Sequence, residues 1–141
     1  MFLRQAAYGT NDPQTQLLLS QVKPFCQYTS ATDGSRIHVL LETLVTTKPT
    51  LAALAYYAAP ALSGNCEGNP ASCYCSQLGG SDLFGGINAA GGAWVNPNSV
   101  DVDLEACIFP DMSSIDSWGL TYHSDGIIRG IDLSTVLRYK Q

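Results

Sequence analysis

SVDVDLEACIF, residues 99–109, decides the fold. Val100, Val102, Leu104, Ala106 and Ile108 alternate with Asp101, Asp103 and Glu105. Successive side chains of an extended chain point to opposite sides, so this period marks a strand with one buried and one wetted face. The three carboxylates then share the solvated face, about 7 Å apart by the strand rise. Cys107 falls on that same polar face, which places it near the surface. The run is not a calcium loop. Ala106 stands where an EF-hand needs glycine, and Met112 where it needs the closing glutamate.

Beyond the strand, Pro110-Asp111 begins a turn. WGLTYHSDGIIRG, residues 118–130, reads as a hairpin with Asp125-Gly126 as a type I′ turn. DLSTVLRY, residues 132–139, reads as a last short helical turn capped by Asp132. On the other side, NPASCYCSQLGG, residues 69–80, is a short helix. Asn69 is its N-cap, Pro70 its first residue and Gly79-Gly80 its left-handed stop. Gly-Gly recurs at 85–86 and 91–92, too few and too weakly apolar copies to stack as a repeat. Residues 79–94 therefore read as a mobile glycine-rich loop with strand fragments at best.

Residues 1–65 read as a helical N-terminal extension, and 66–141 as a small cysteine-containing α+β domain. Asn11-Asp12-Pro13 starts a helix whose stripe of Leu17, Leu18 and Val22 stops at Pro24. A turn follows at Thr32-Asp33-Gly34-Ser35. Residues 36–46 fit a strand or a helix by composition, and the spacing of Leu40, Leu41, Leu44 and Val45 favours the helix. Thr50 caps a further helix through LAALAYYAA. The fold class is α+β: short N-terminal helices packed on a small antiparallel sheet. Leu104, Ile108, Phe109, Trp118 and Leu120 are the expected core.

The 141 residues are 45% hydrophobic and only 13% charged, with a formal net charge of -5. Such a weakly charged surface suits a partner. With no cluster of lysine and arginine, nucleic acid and anionic membranes are not partners of this chain. The longest nearly apolar run, residues 51–62, is broken by Pro60 and too short to span a bilayer. Met1-Phe2-Leu3-Arg4 is not followed by the apolar core of a signal peptide. The expectation is an exported chain, periplasmic, cell-envelope or extracellular, whose leader is absent from this sequence.

Five cysteines (Cys26, Cys66, Cys73, Cys75 and Cys107) fit two disulfides and one thiol left over. On a helix Cys73 and Cys75 point to nearly opposite sides, so they neither pair with each other nor share a metal. The spacings lack the paired knuckles of a zinc site, and no C-x-x-C redox motif occurs. The glycine pairs lack a phosphate-binding pattern, so no cofactor is expected. His123-Ser124-Asp125 is contiguous, whereas triad members converge from separate segments. Nothing local marks Cys26 as a nucleophile.

From Asn69 onward the order of motifs resembles a small bacterial cell-envelope domain of unknown function, found in lipoproteins and so-called haemolysin-like proteins. Asn69, Pro70, Ala71, Ser72, Tyr74, Cys75, Gly79, Gly80, Cys107, Phe109, Pro110, Asp111 and Trp118 match its pattern over roughly residues 66–122. The chain departs from it at Ile115, where that family has cysteine, and at Met112, where it has glycine. A further family cysteine beyond the tryptophan segment is missing here, and Cys73 is extra. The resemblance implies Cys75–Cys107 as the retained disulfide, Cys66–Cys73 as an added local one, and Cys26 as free. It implies an exported location and no established chemistry.

The leading functional expectation is a non-catalytic exported protein-binding or structural module, a candidate accessory subunit of a larger assembly. Its partner contact, or self-association, falls on Phe2, Leu3, Tyr8, Tyr56 and Tyr57, because tyrosine offers contact area at low entropy cost. A competing reading makes the all-apolar helix bearing Tyr56 and Tyr57 a core element. The alternatives are an inhibitor of a secreted hydrolase, presenting the glycine-rich loop or the Asp125-Gly126 tip, and a small hydrolase using Cys26 or His123.

Overall fold

The computed structural model describes residues 2–6, 22–83, 94–96 and 99–141. The fold is α+β. Its strands are β1 (Phe2–Ala6), β2 (Val22–Thr29), β3 (Arg36–Leu40), β4 (Ser81–Leu83), β5 (Trp94–Asn96), β6 (Ser99–Leu104), β7 (Ala106–Ile108) and β8 (Ser114–Asp116). The helices among the described residues are α1 (Leu41–Val45), α2 (Leu51–Ala58), α3 (Pro70–Gln77) and α4 (Ser117–Ser124), with a 3-10 turn at Leu133–Thr135.

The strands form one antiparallel sheet in the order β4-β7-β8-β3-β2-β1-β5-β6. β6 ends that order and β7 stands next to its other end, yet only Glu105 separates them in sequence. Leu104 and Ala106 therefore lie within about 7.6 Å of each other at Cα. One long strand, kinked at Glu105, serves both ends, and the sheet curls toward a barrel. Residues 99–109 are thus extended, as their alternation requires, but not as one flat strand.

The curl corrects the reading of one wetted face. Glu105 is 8% exposed and Cys107 fully buried. Past the kink, Cys107 pairs with Ile115, which pairs with Val39, which pairs with Cys26. Directly paired residues share a face, and the helices cover this one. Leu44, Ala52, Ala53, Tyr56, Tyr74 and Leu120 pack there with Ile37 and Val39. The other face, inside the curl, buries Phe25, His38, Leu40, Ser114 and Asp116.

Two segments differ from the helical reading of the N-terminal half. Residues 22–29 and 36–40 are the hairpin β2–β3, with Phe25 opposite Leu40 and Thr29 opposite Arg36. Ile37 and Val39 are β-branched and stiff at χ1, which suits a pleated surface better than a helix. The leucine spacing straddles a boundary: Leu40 ends the strand, Leu44 is buried in α1, and Val45 is 44% exposed. Strands from both sides of residue 65 belong to one sheet, since β3 pairs with β8 and β1 with β5. The Leu17–Leu18 stripe, Tyr8 and most of the glycine-rich loop lie outside the described residues.

Cap chemistry sets the helices. The Thr50 hydroxyl accepts from Ala53 N–H at 3.1 Å, opening α2. Asn69 Oδ1 accepts from Ala71 and Ser72 N–H at 2.9 and 3.2 Å, opening α3. α3 ends in a Schellman motif: Gly80 N–H reaches Cys75 O, Gly79 N–H reaches Ser76 O, and Gly79 takes φ +91°. The expected hairpin at 118–130 is a correction of the same kind. Asp116 caps α4 through Trp118 and Gly119 N–H. Ile127 N–H bonds Tyr122 O and Gly126 N–H bonds His123 O, a second Schellman ending with Gly126 at φ +78°. An Asp-Gly pair serves a helix end as readily as a hairpin, because both demand a left-handed glycine.

Candidate functional site

The N-termini of α3 and α4 converge on two carboxyl groups, Asp82 of β4 and Glu105 at the kink. Asn69 caps α3 with its oxygen and turns its amide to Glu105, donating to Oε1 and Oε2 at 3.0 and 3.2 Å. Trp118, in the first turn of α4, donates its indole N–H to Glu105 Oε1 at 2.9 Å. Ser117 donates its hydroxyl to Asp82 Oδ1 and its backbone N–H to Glu105 O. Ser72, in the first turn of α3, lies close enough to lower the charge cost at Asp82. Asn69, Ser72 and Trp118 are residues of the motif singled out in the sequence, and this is where they meet.

Asp82 Oδ2 is buried and finds no donor on the described residues. The group against it is the Glu105 carboxyl. Two carboxyls hydrogen-bond only when one holds a proton. Burial first, and the hydrogen bond with Glu105 second, push the Asp82 carboxyl up to about 8, against the lowering effect of Ser117. Glu105 already accepts from Trp118 and Asn69. Neither Asp82 nor the burial of Glu105 was legible in the sequence: Asp82 lay in the supposed loop, and Glu105 on the supposed wetted face.

The cysteines pair as Cys66–Cys73 and Cys75–Cys107, with Cys26 free and buried. The second disulfide lies in the core, at 1% and 0% exposure. Gly80 packs onto it so closely that a Cβ there would stand 2.5 Å from Cys107 Sγ. Burial pushes the Cys26 thiol up, away from thiolate chemistry. His123 stacks on Tyr56, ring centroids 3.8 Å apart, and the Ser124 hydroxyl donates to Thr121 O. His123, Ser124 and Asp125 thus form no relay. A different histidine is buried against a carboxylate: His38 Nδ1 lies 3.2 Å from Asp116 Oδ2. Among the described residues, no three His, Cys, Asp or Glu side chains converge as a metal site.

The tyrosines part company. Tyr56 is 1% exposed, its hydroxyl accepting from Leu133 N–H at 3.1 Å. The interface reading of Tyr56 is corrected: the helix packs it into the core, and burial pushes its phenol up to about 12. Tyr57 is half-buried and donates to Tyr139 O at 2.8 Å, fastening the C-terminal segment. Phe2 and Leu3 of β1 pair in register with Phe25 and Pro24 of β2. Tyr8 lies outside the described residues. The large apolar side chains that are exposed among the described residues are Val45, Leu51, Ile127 and Ile128.

A pocket of about 210 Å³ opens between α1 and the 110–113 turn, with Leu40, Thr43, Thr50, Asp111 and Met112 in its wall. Its polar groups serve the scaffold. Asp111 Oδ2 accepts from Leu51 N–H at 2.8 Å, and Ser113 Oγ from Ala52 N–H at 3.0 Å. With Thr50 they satisfy three of the open amides of α2. Met112 sits at φ +69°, the left-handed region.

Compared with family models, with curated proteins and with solved structures, the chain matches none.

Proposed function

We propose that the protein is an exported, disulfide-stapled binding module without catalytic function, a candidate subunit of a larger cell-envelope assembly. The observation that carries this reading is the tip formed by Ile127 and Ile128, 50% and 45% exposed. Adjacent aliphatic side chains held outward on a fixed turn favour burial against a partner. The tip is fixed on one side by the Schellman ending of α4, and on the other by Gly130 N–H donating to Ser35 Oγ at 3.0 Å. Arg129 stacks on the Tyr122 ring beside it, 5.0 Å from the centroid. Two disulfides support an oxidising compartment. Among the described residues no helix is long and apolar enough to cross a membrane.

The test has two arms. Non-reducing peptide mapping of the native protein should recover both disulfides, and five free thiols would remove the exported location. Purification from the native envelope should retain a stoichiometric protein partner that an Ile127→Asp/Ile128→Asp variant loses. A wild-type protein that runs alone and monomeric would sink the binding reading. The same tip also supports a narrower reading as an inhibitor of a secreted hydrolase, with Ile127 entering its specificity pocket; a co-purifying hydrolase whose activity falls on binding distinguishes that outcome.

A further inference from the structure

We propose that the Asp82–Glu105 carboxyl pair is a proton-operated latch: one shared proton holds the edge strand β4 against the N-terminus of α4, and its loss releases β4.

β4 is the element least able to hold itself. It is three residues long, ends the sheet order and pairs with β7 alone among the described residues. Three residues of ladder are too few to be stable by backbone bonding alone. Asp82 is its central residue, opposite Cys107. Its side chain reaches two other elements at once, Ser117 of α4 and Glu105 at the kink. The groups that face it among the described residues come from three elements. From α3 come Ser72 and, through Glu105, Asn69; from α4, Ser117 and Trp118, with Asp116 adjacent; from the kink, Glu105. No lysine, arginine or histidine among the described residues faces Asp82 to balance a second negative charge.

With the proton present, Asp82 donates to Glu105, and Glu105 is satisfied by Trp118 and Asn69. With the proton gone, the buried Asp82 Oδ2 has no donor among the described residues and carries a charge of the same sign as Glu105. Two like charges in a partly buried site cannot both stay ionised at contact distance without moving apart. Glu105 is held by two donors from the helix ends, whereas Asp82 rides on a three-residue edge. The strand is what gives. Its departure uncovers the backbone edge of β7, Ala106–Ile108, while the Cys75–Cys107 disulfide keeps β7 itself in place.

Amide hydrogen exchange on the full chain tests this, with rates normalised for the base-catalysed exchange of unstructured peptide. Between pH 6.5 and 9.5 the protection of the Ser81–Leu83 amides should fall at least tenfold, while that of Ile37 and Val39 in β3 stays level. Asp82→Asn supplies a permanent amide donor to Glu105 and should keep β4 protected throughout. If that variant misfolds, Glu105→Gln does the same service in reverse, offering its amide to the Asp82 carboxylate. Level protection of β4 in the wild type overturns the latch. So does an equal loss in the variants, or a fall that β3 shares.

Discussion

Removing the disulfides one at a time should cost unequally, in an order set by loop length and burial. Cys75 and Cys107 are 32 residues apart, Cys66 and Cys73 only 7. Closing those loops in the unfolded chain restricts it by about 3.7 and about 2.4 kcal/mol in the chain-entropy model. Burial widens the gap. Cys75 and Cys107 are sealed in the core, so Cys75→Ala/Cys107→Ala also forfeits packing around two sulfurs, about 1 kcal/mol in all. Cys66 and Cys73 are partly exposed and lose little packing. The buried pair should thus cost about 4–5 kcal/mol and the exposed pair about 2. Urea unfolding followed by tryptophan fluorescence and by far-UV circular dichroism gives both numbers, provided the two probes coincide. A loss of 4–5 kcal/mol is a large share of the stability of any domain, so the buried-pair variant is best titrated in trimethylamine oxide as well as in urea. Equal losses, or a greater loss from Cys66→Ala/Cys73→Ala, would refute the reasoning.

Gly80→Ala should destabilise by about 1–3 kcal/mol, because its Cβ meets Cys107 Sγ at 2.5 Å and Cys75 Sγ at 3.0 Å; in the Cys75→Ala/Cys107→Ala background the penalty should shrink, which a double-mutant cycle reads directly. Met112→Gly should raise stability by about 0.5–1 kcal/mol. It relieves a left-handed residue at φ +69°, worth about 1–2 kcal/mol, against the extra freedom that glycine gives the unfolded chain; a lowered melting temperature would count against it. Global stability should fall as pH rises from 5 to 8. Folded Asp82 keeps its proton up to about 8, while the unfolded chain releases it near 4, so folding binds a proton in that window and its benefit is lost as pH climbs through the folded value. Each unit of pH removes at most about 1.4 kcal/mol. Asp82 is partly exposed and screened, which limits the whole decline to about 2–3 kcal/mol. Asp82→Asn should flatten that decline.

Local chemistry was legible in the sequence wherever one residue decides one feature. Asn69, Pro70 and Gly79 mark α3, Thr50 marks α2, and Asp132 caps the 3-10 turn through Ser134 N–H at 3.0 Å. The buried positions of Ile108, Phe109 and Leu120 follow from the same patterns, although Trp118 stays partly exposed to hold Glu105. What stayed hidden depends on residues far apart. The leucine spacing of 36–46 is helical in form, yet Ile37 and Val39 are drawn into the sheet by partners outside that segment, Tyr28, Cys26 and Ile115. The alternation of 99–109 is real, but the break at Glu105 reassigns the faces after it, and no local signal announces that Asn69 and Trp118 hold the Glu105 carboxyl there. The Asp125-Gly126 pair shows the same limit: the backbone it demands is fixed, while the element it ends is chosen by the Asp116 cap nine residues earlier.

The residues of the motif that runs from Asn69 to Trp118 have structural tasks. Asn69 caps α3 and holds Glu105, and Trp118 holds the same carboxylate. Cys75 and Cys107 close the core, and Gly80 is small because they are there. Asp111 satisfies the first amide of α2. Tyr74 donates to Pro60 O at 2.6 Å, tying α3 to the segment that follows α2. A chain that kept all of these would keep a scaffold, whatever it bound. The proposed function and the proposed latch draw on groups outside that set. Ile127 and Ile128 are outside it, and so are Asp82 and Glu105. Because Asp82 shares its proton with a carboxylate that the motif residues position, the scaffold fixes how strongly the proton is held, while the edge strand determines what moves when it leaves.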